Sequence, residues 1–74
     1  MNRLFFTKPG DKEFEVRFIN GDAIVIDEGD FCDLRRIFER SMVCVSEPFF
    51  FLFNARITIN INQILWVREF QREF

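Results

Sequence analysis

The sequence contains no histidine, and this absence removes much of the common catalytic and metal-binding chemistry. Histidine is the usual general base near neutral pH, and a Ser-His-Asp or Cys-His arrangement cannot be built without it. A zinc site needs more nitrogen or sulfur ligands than two cysteines, Cys32 and Cys44, with no CxxC spacing, can supply. We therefore predict that the protein is not an enzyme, and we predict no catalytic residue, no cofactor and no metal.

Glycine is scarce, and the sequence has no long apolar run. Its three glycines do not form the spacing of a phosphate-binding loop, which excludes the common nucleotide motifs. No apolar run approaches the ~18 residues of a membrane helix, and no secretion signal opens the chain. These absences predict a cytoplasmic protein with no membrane partner and with both cysteines reduced.

Tyrosine is missing as well, whereas phenylalanine occurs 12 times in 74 residues. Phenylalanine adds apolar area without a hydroxyl group that could remain in water. A single domain spanning residues 1–74 buries only about 60% of the surface of its unfolded chain, so a monomer is marginally stable. Self-association would bury additional apolar surface and so stabilise the fold. The net charge of −2 gives no overall attraction to nucleic acid or to anionic lipid.

Apolar alternation and turn residues predict an α+β fold. We expect strands at residues 3–7, 13–19, 23–27, 42–45, 49–53, 57–61 and 64–70, with one helix near residues 30–41. Asp30 is the predicted N-cap of this helix. Short connections indicate a strongly bent antiparallel sheet, or a small open barrel, of about six to seven short strands.

The Asn20-Gly21 pair leaves two interpretations of the first hairpin. A two-residue loop would pair Phe18 with Ala23 and Val16 with Val25, which turns Ile24 and Ile26 away from the Phe14–Val16 face. Either the turn is longer, or the return strand is apolar on both faces. The second interpretation is preferred, because residues 49–53 and 64–67 are also apolar on both faces.

One short helix cannot cover so many two-faced strands, and exposed apolar patches usually mark interaction sites. We therefore predict a non-enzymatic interaction or regulatory module that self-associates or binds another protein through a Phe-rich strand face. Its small size suits a regulator, an inhibitor or a phage-borne accessory protein. The open alternative is that these strands are central and fully covered within the monomer. The predicted interface residues are Phe49, Phe50, Phe51, Leu52, Phe53 and Trp66.

Arginine outnumbers lysine eight to two, which leaves nucleic-acid binding as the alternative function. Arg35, Arg36 and Arg40 are predicted on the polar side of the helix, and the competing interpretation is an ordinary solvated helix face. Four carboxylates lie at the end of the first hairpin. They could hold a hard cation, but a turn followed by a helix cap is the favoured interpretation. These carboxylates are Asp27, Glu28, Asp30 and Asp33.

The segment RITININQILWVRE, residues 56–69, follows the predicted helix and forms part of a strand hairpin. It resembles the end of LytTR-type DNA-binding domains, and it is also similar to Sm-like small barrels. The first resemblance implies DNA binding, but most of the basic residues that such a domain places around this hairpin are absent. It therefore assigns no functional residue.

Overall fold

The computed structural model describes residues 2–8, 10–40 and 48–72. Within them the chain is α+β, as predicted, with one α-helix and six strands. The predicted strand at residues 42–45 and the residues Ser41 and Cys44 lie outside this description. The elements in chain order are β1 (Arg3–Phe5), β2 (Glu13–Phe18), β3 (Ala23–Asp27), α1 (Glu28–Arg40), β4 (Phe49–Leu52), β5 (Ile57–Asn60), a 3-10 turn (Ile61–Gln63) and β6 (Ile64–Phe70).

Four strands form one open sheet in the order β1-β3-β2-β6, and β4 and β5 form a separate antiparallel hairpin. The sheet is not closed into a barrel. It is mixed rather than purely antiparallel, because β1 runs parallel to β3 while β2 is antiparallel to both β3 and β6. The chain reverses twice between β1 and β3, so the two strands point the same way when they become neighbours.

The β2–β3 turn is longer than two residues, so the pairing predicted from a two-residue loop is wrong, although β3 is apolar and buried on both faces, as the preferred interpretation expected. The amide of Phe18 donates to the carbonyl of Asp22 at 2.8 Å, and the amide of Gly21 donates to the carbonyl of Phe18 at 3.0 Å. The loop therefore has three residues. Gly21 has φ of 95°, the left-handed conformation that ends such a turn and that glycine adopts readily.

This longer loop shifts the pairing by one residue. Val16 lies opposite Ile24, and Phe14 lies opposite Ile26. All four side chains consequently share one face of the sheet, which we call the core face. Glu15 occupies the other face, together with Val25 and Arg68, which lie opposite it on β3 and β6.

The core lies between the core face and a second layer made of α1 and the β4–β5 hairpin. Leu34 of α1 and Leu52 of β4 are each only 1% exposed. Phe31 of α1 stacks on Phe14 of β2 with ring centroids 3.9 Å apart. The buried apolar cluster comprises Phe14, Val16, Ile24, Ile26, Leu34, Leu52, Ile59 and Ile61.

The helix begins at Glu28, so the predicted N-cap at Asp30 is wrong. The carboxylate of Asp27, at the end of β3, accepts the amide of Asp30 at 2.9 Å and caps the first turn. Negative charge at that end and Arg40 in the last turn both complement the helix dipole. No helix of the described ranges has the length and apolar content to cross a membrane.

Asp30 has a different role: it joins the helix to the β4–β5 turn. Its side chain is 1% exposed, and its two carboxylate oxygens accept the backbone amides of Asn54 at 3.0 Å and Ala55 at 2.9 Å. The Asn54 side chain in turn donates to Asp27 at 2.9 Å. These bonds fix the hairpin against the start of the helix.

We predict that Asp30→Asn lowers the free energy of unfolding by about 1–3 kcal/mol, because one of the two backbone donors would then face an amide donor. Urea unfolding measures the loss, and amide exchange at Asn54 and Ala55 should accelerate. Asp33→Asn is the control, since this half-buried carboxylate of the same helix pairs with Arg36 at 3.7 Å. Equal stability of the two variants would contradict the role of Asp30.

Candidate functional site

Three phenylalanine side chains project from the β4–β5 hairpin away from the core. Phe49, Phe51 and Phe53 are 68%, 43% and 67% exposed. Phe51 and Phe53 pack edge to face with ring centroids 5.3 Å apart. Alternation along β4 explains why Phe49 and Phe51 point outward, because every second side chain of a strand points to the same side. Phe53 follows in the turn after β4. We call these three residues the phenylalanine face.

The six predicted interface residues do not form one surface. Phe50 is half-buried against the core and Leu52 is buried within it, so these two stabilise the hairpin on the sheet. Trp66 lies on the four-stranded sheet, opposite Arg17 of β2 and on the side away from the core. Within residues 49–53, the odd-numbered side chains are exposed and the even-numbered ones, Phe50 and Leu52, face the core.

The phenylalanine face carries no formal charge on its paired strands. Phe49 lies opposite Asn60, and Phe51 lies opposite Thr58, in the β4–β5 register. An uncharged apolar patch on a hairpin can meet a copy of itself without opposing like charges. The arrangement therefore suits a symmetric contact.

The arginines proposed for nucleic-acid binding lie on the exposed side of α1. Arg35 pairs with Glu39 at 3.0 Å, and Arg36 lies 3.7 Å from Asp33. Arg40, in the last turn, is also exposed. Two of the three charges are thus locally compensated, as the solvated-face interpretation expects.

The acidic cluster at the start of the helix is engaged by protein groups. Glu28 lies 3.7 Å from Lys12, while Asp27 and Asp30 accept amide donors of the helix and of the β4–β5 turn. No group of three or more potential metal ligands occurs in the described part of the chain.

The most organised polar arrangement lies on the sheet face opposite the core, and no pattern in the sequence predicted it. Side chains of β1, β2 and β6 meet there, and we call this surface the arginine–aromatic face. At its centre is Glu15, whose side chain is fully buried. The face comprises Arg3, Phe5, Glu13, Glu15, Arg17, Trp66, Arg68, Phe70 and, beyond β6, Arg72.

Three guanidinium groups surround the Glu15 carboxylate. Arg17 donates at 2.9 Å, Arg3 lies at 3.2 Å and Arg68 at 3.4 Å. Each comes from a different strand, so this one carboxylate cross-links β1, β2 and β6. The Arg17 guanidinium also donates to the carbonyl of Gly21 at 2.9 Å.

The same guanidinium groups stack on aromatic rings. The Cζ atoms of Arg68 and Arg17 lie 4.4 Å and 5.4 Å from the Trp66 ring centroid. Arg3 lies 5.1 Å from the Phe70 ring. Cation–π contacts of this kind add to the ion pairs and hold the planes of the arginines in fixed orientations.

A scan against protein-family models and searches of curated proteins and of solved structures found no match to this chain. The likeness of residues 56–69 to LytTR-type domains and Sm-like barrels therefore remains a sequence-based expectation.

The signal that could have revealed the arginine–aromatic face is the alternation of Glu13, Glu15 and Arg17 along β2. This alternation is typical of a solvent-exposed strand face. Glu15 is buried because the long side chains of neighbouring strands close over it, and those neighbours were not identifiable without the sheet order.

At the other end of this face, Arg72 forms a two-point contact with Glu13. Its Nε and Nη2 atoms donate to the two carboxylate oxygens at 2.9 Å and 3.0 Å. This bonding lowers the pKa of Glu13, against the opposing effect of burial, and the Thr7 hydroxyl lowers it further. The same contact raises the pKa of Arg72.

A carboxyl group whose pKa is lowered by folding stabilises the folded state above its unfolded pKa, and that contribution is lost as the pH falls through the folded value. We predict that Arg72→Gln unfolds at lower urea concentration than wild type at pH 7. This difference should shrink once the pH falls below about 4.5, the ordinary pKa of Glu13. Urea midpoints across this range test it, with Arg36→Gln as the control for loss of one surface charge. A difference independent of pH would contradict the assignment to Glu13.

Proposed function

We propose that the protein is a non-enzymatic interaction module that forms a homodimer through the phenylalanine face. The observation that carries this proposal is the exposure of Phe49, Phe51 and Phe53 on one side of a single hairpin. Large aromatic side chains are the usual anchors of protein interfaces. A cytoplasmic regulator, inhibitor or phage-borne accessory protein is the setting we propose for such a module.

The attachment of the hairpin supports this role. Its inner side chains pack in the core, and Asp30 holds its turn by two backbone hydrogen bonds. The outer rings therefore lie on a fixed backbone, so little conformational entropy is lost when they are ordered in an interface. Phenylalanine has few rotatable bonds, which lowers this entropy loss further.

A second copy is the favoured partner because the face is apolar and its paired strand positions are uncharged. Elsewhere on the surface, charged residues are frequent, and a heterologous partner would be expected to match some of that charge. Charged residues border the face at its Phe53 end, where Lys8, Asp11 and Arg56 line a shared hollow, while the paired positions of β4 and β5 carry no charge.

We predict that the wild type is dimeric by light scattering and that Phe49→Thr/Phe51→Thr/Phe53→Thr is monomeric. Threonine preserves strand propensity, and the replaced rings lie outside the core. The intrinsic stability of the monomer should therefore change by less than about 1 kcal/mol per site, as is usual for surface substitutions. Urea unfolding at low protein concentration measures that change.

The matched control is Ile19→Thr/Leu65→Thr, which removes two side chains that are 59% and 60% exposed outside this face. It should remain dimeric. A monomeric wild type, or a triple variant that stays dimeric, would refute the proposed dimer. A monomeric wild type that binds a different protein through the same three rings would replace the second copy with that partner.

A further inference from the structure

We propose that the arginine–aromatic face binds single-stranded nucleic acid, with Arg3 and Arg68 contacting phosphates and a base stacking beside Trp66. This inference concerns the sheet face opposite the core, and it does not depend on the phenylalanine face or on the helix arginines. Four observations support it: the positive charge around Glu15, the unused hydrogen-bond donors of Arg3 and Arg68, the cavity that these two arginines line, and the rings of Trp66 and Phe70.

The charge around Glu15 is locally positive although the chain is acidic overall. One carboxylate is shared by Arg3, Arg17 and Arg68, which leaves a surplus of two positive charges around Glu15, and Glu69 in the lining of the adjoining cavity reduces the local surplus to one. The whole chain carries −2. An anion would therefore be attracted to this face rather than to the molecule as a whole.

The arginines have hydrogen-bond donors left over. Each guanidinium carries five N–H donors, and a single carboxylate offers about four lone-pair sites, so Glu15 cannot occupy the donors of three arginines. The side chains of Arg3 and Arg68 are 35% and 63% exposed, whereas that of Arg17 is 11% exposed. Arg17 therefore anchors the carboxylate, and Arg3 and Arg68 can present their remaining donors to a phosphate.

A cavity lies between these two arginines. Its volume is about 520 Å³, and Arg3, Arg68, Glu69, Phe70 and Gln71 line it. Ligand pockets are usually about 300–1,000 Å³. No helix or strand of the described residues covers this side of the sheet, because α1 and the β4–β5 hairpin both pack on the core face.

The aromatic rings distinguish a nucleic acid from a simple anion. Trp66 lies 4.4 Å from the Arg68 guanidinium and Phe70 lies 5.1 Å from that of Arg3. Trp66, Arg68 and Phe70 belong to β6, and the Arg3 side chain reaches them from β1 at the other edge of the same open sheet. Bases stack on aromatic rings and on guanidinium planes, while their phosphates contact arginine. Unpaired bases are required for such stacking, so the ligand is single-stranded.

The experiment uses the full chain and two labelled homopolymers, oligo-dT and oligo-rU. Trp66 is the only tryptophan and the chain has no tyrosine, so intrinsic fluorescence reports directly on this face. We expect quenching of Trp66 together with a rise in oligonucleotide anisotropy. Affinity should fall with salt at a log–log slope of about −0.7 per phosphate contact, hence roughly −1.4 for two contacts.

Arg68→Gln should weaken binding about tenfold or more, the effect of losing a charged hydrogen-bond donor. Arg68→Lys should give intermediate affinity, because it keeps the charge and loses the stacked plane. Arg36→Gln removes the same charge from the helix and should leave affinity unchanged. Should Arg68→Gln prove unfolded by circular dichroism, Arg3→Gln provides the same test on the other side of the cavity.

Four results would overturn the proposal. The first is the absence of binding to either oligonucleotide, and the second is equal weakening of binding by Arg36→Gln and by Arg68→Gln. The third is equal affinity for inorganic polyphosphate of the same charge. The fourth is tighter binding of polyglutamate than of either oligonucleotide. The last result would assign the face to an acidic protein partner. The triple phenylalanine variant should bind oligonucleotide through the same Trp66 signal, which separates this test from that of the dimer.

Discussion

Glu15 is a fully buried carboxylate on the side of the sheet that the helix does not cover, and the organisation of that side depends on it. Burial of an unpaired carboxylate would be strongly unfavourable, so the chain surrounds it with guanidinium groups from β1, β2 and β6. Those side chains cover Ala23 and Val25, the apolar residues of β3 on this face. A surface that would otherwise need a second helix is thus closed by arginine stems and aromatic rings, while the guanidinium ends of Arg3 and Arg68 still reach solvent.

The opposite side of the sheet follows a different principle. There α1 and the β4–β5 hairpin bury the apolar core, and the carboxylates of Asp27 and Asp30 connect the two elements by hydrogen bonds. Because the inner side of β4 is used in this packing, its alternate side chains must point outward. The exposed rings of Phe49 and Phe51 are therefore a direct consequence of placing a two-faced strand in the outermost layer. The two candidate surfaces belong to different layers and differ in chemistry, one uncharged and one rich in arginine.

Several features were predictable because they depend on local sequence. Alternation along residues 13–18 and the apolar stripe after Gly29 predicted β2 and α1. The failures were local as well. The predicted cap at Asp30 is wrong because β3 ends at Asp27 and the helix begins at the next residue, so the Asp27 carboxylate caps the first turn. The Asn20-Gly21 pair fits two loop lengths, and the shorter one misplaced Ile24 and Ile26.

The sequence by itself determined the α+β class, the lack of histidine chemistry and the excess of phenylalanine, because composition and periodicity are properties of the chain alone. Only the tertiary structure decided which charges are buried and which rings are exposed. Strand order brings Arg3, Arg17 and Arg68 to one carboxylate, although they are up to 65 positions apart in sequence. Such contacts depend on which strands become neighbours, and that is fixed by the packing of the whole domain rather than by any segment of it.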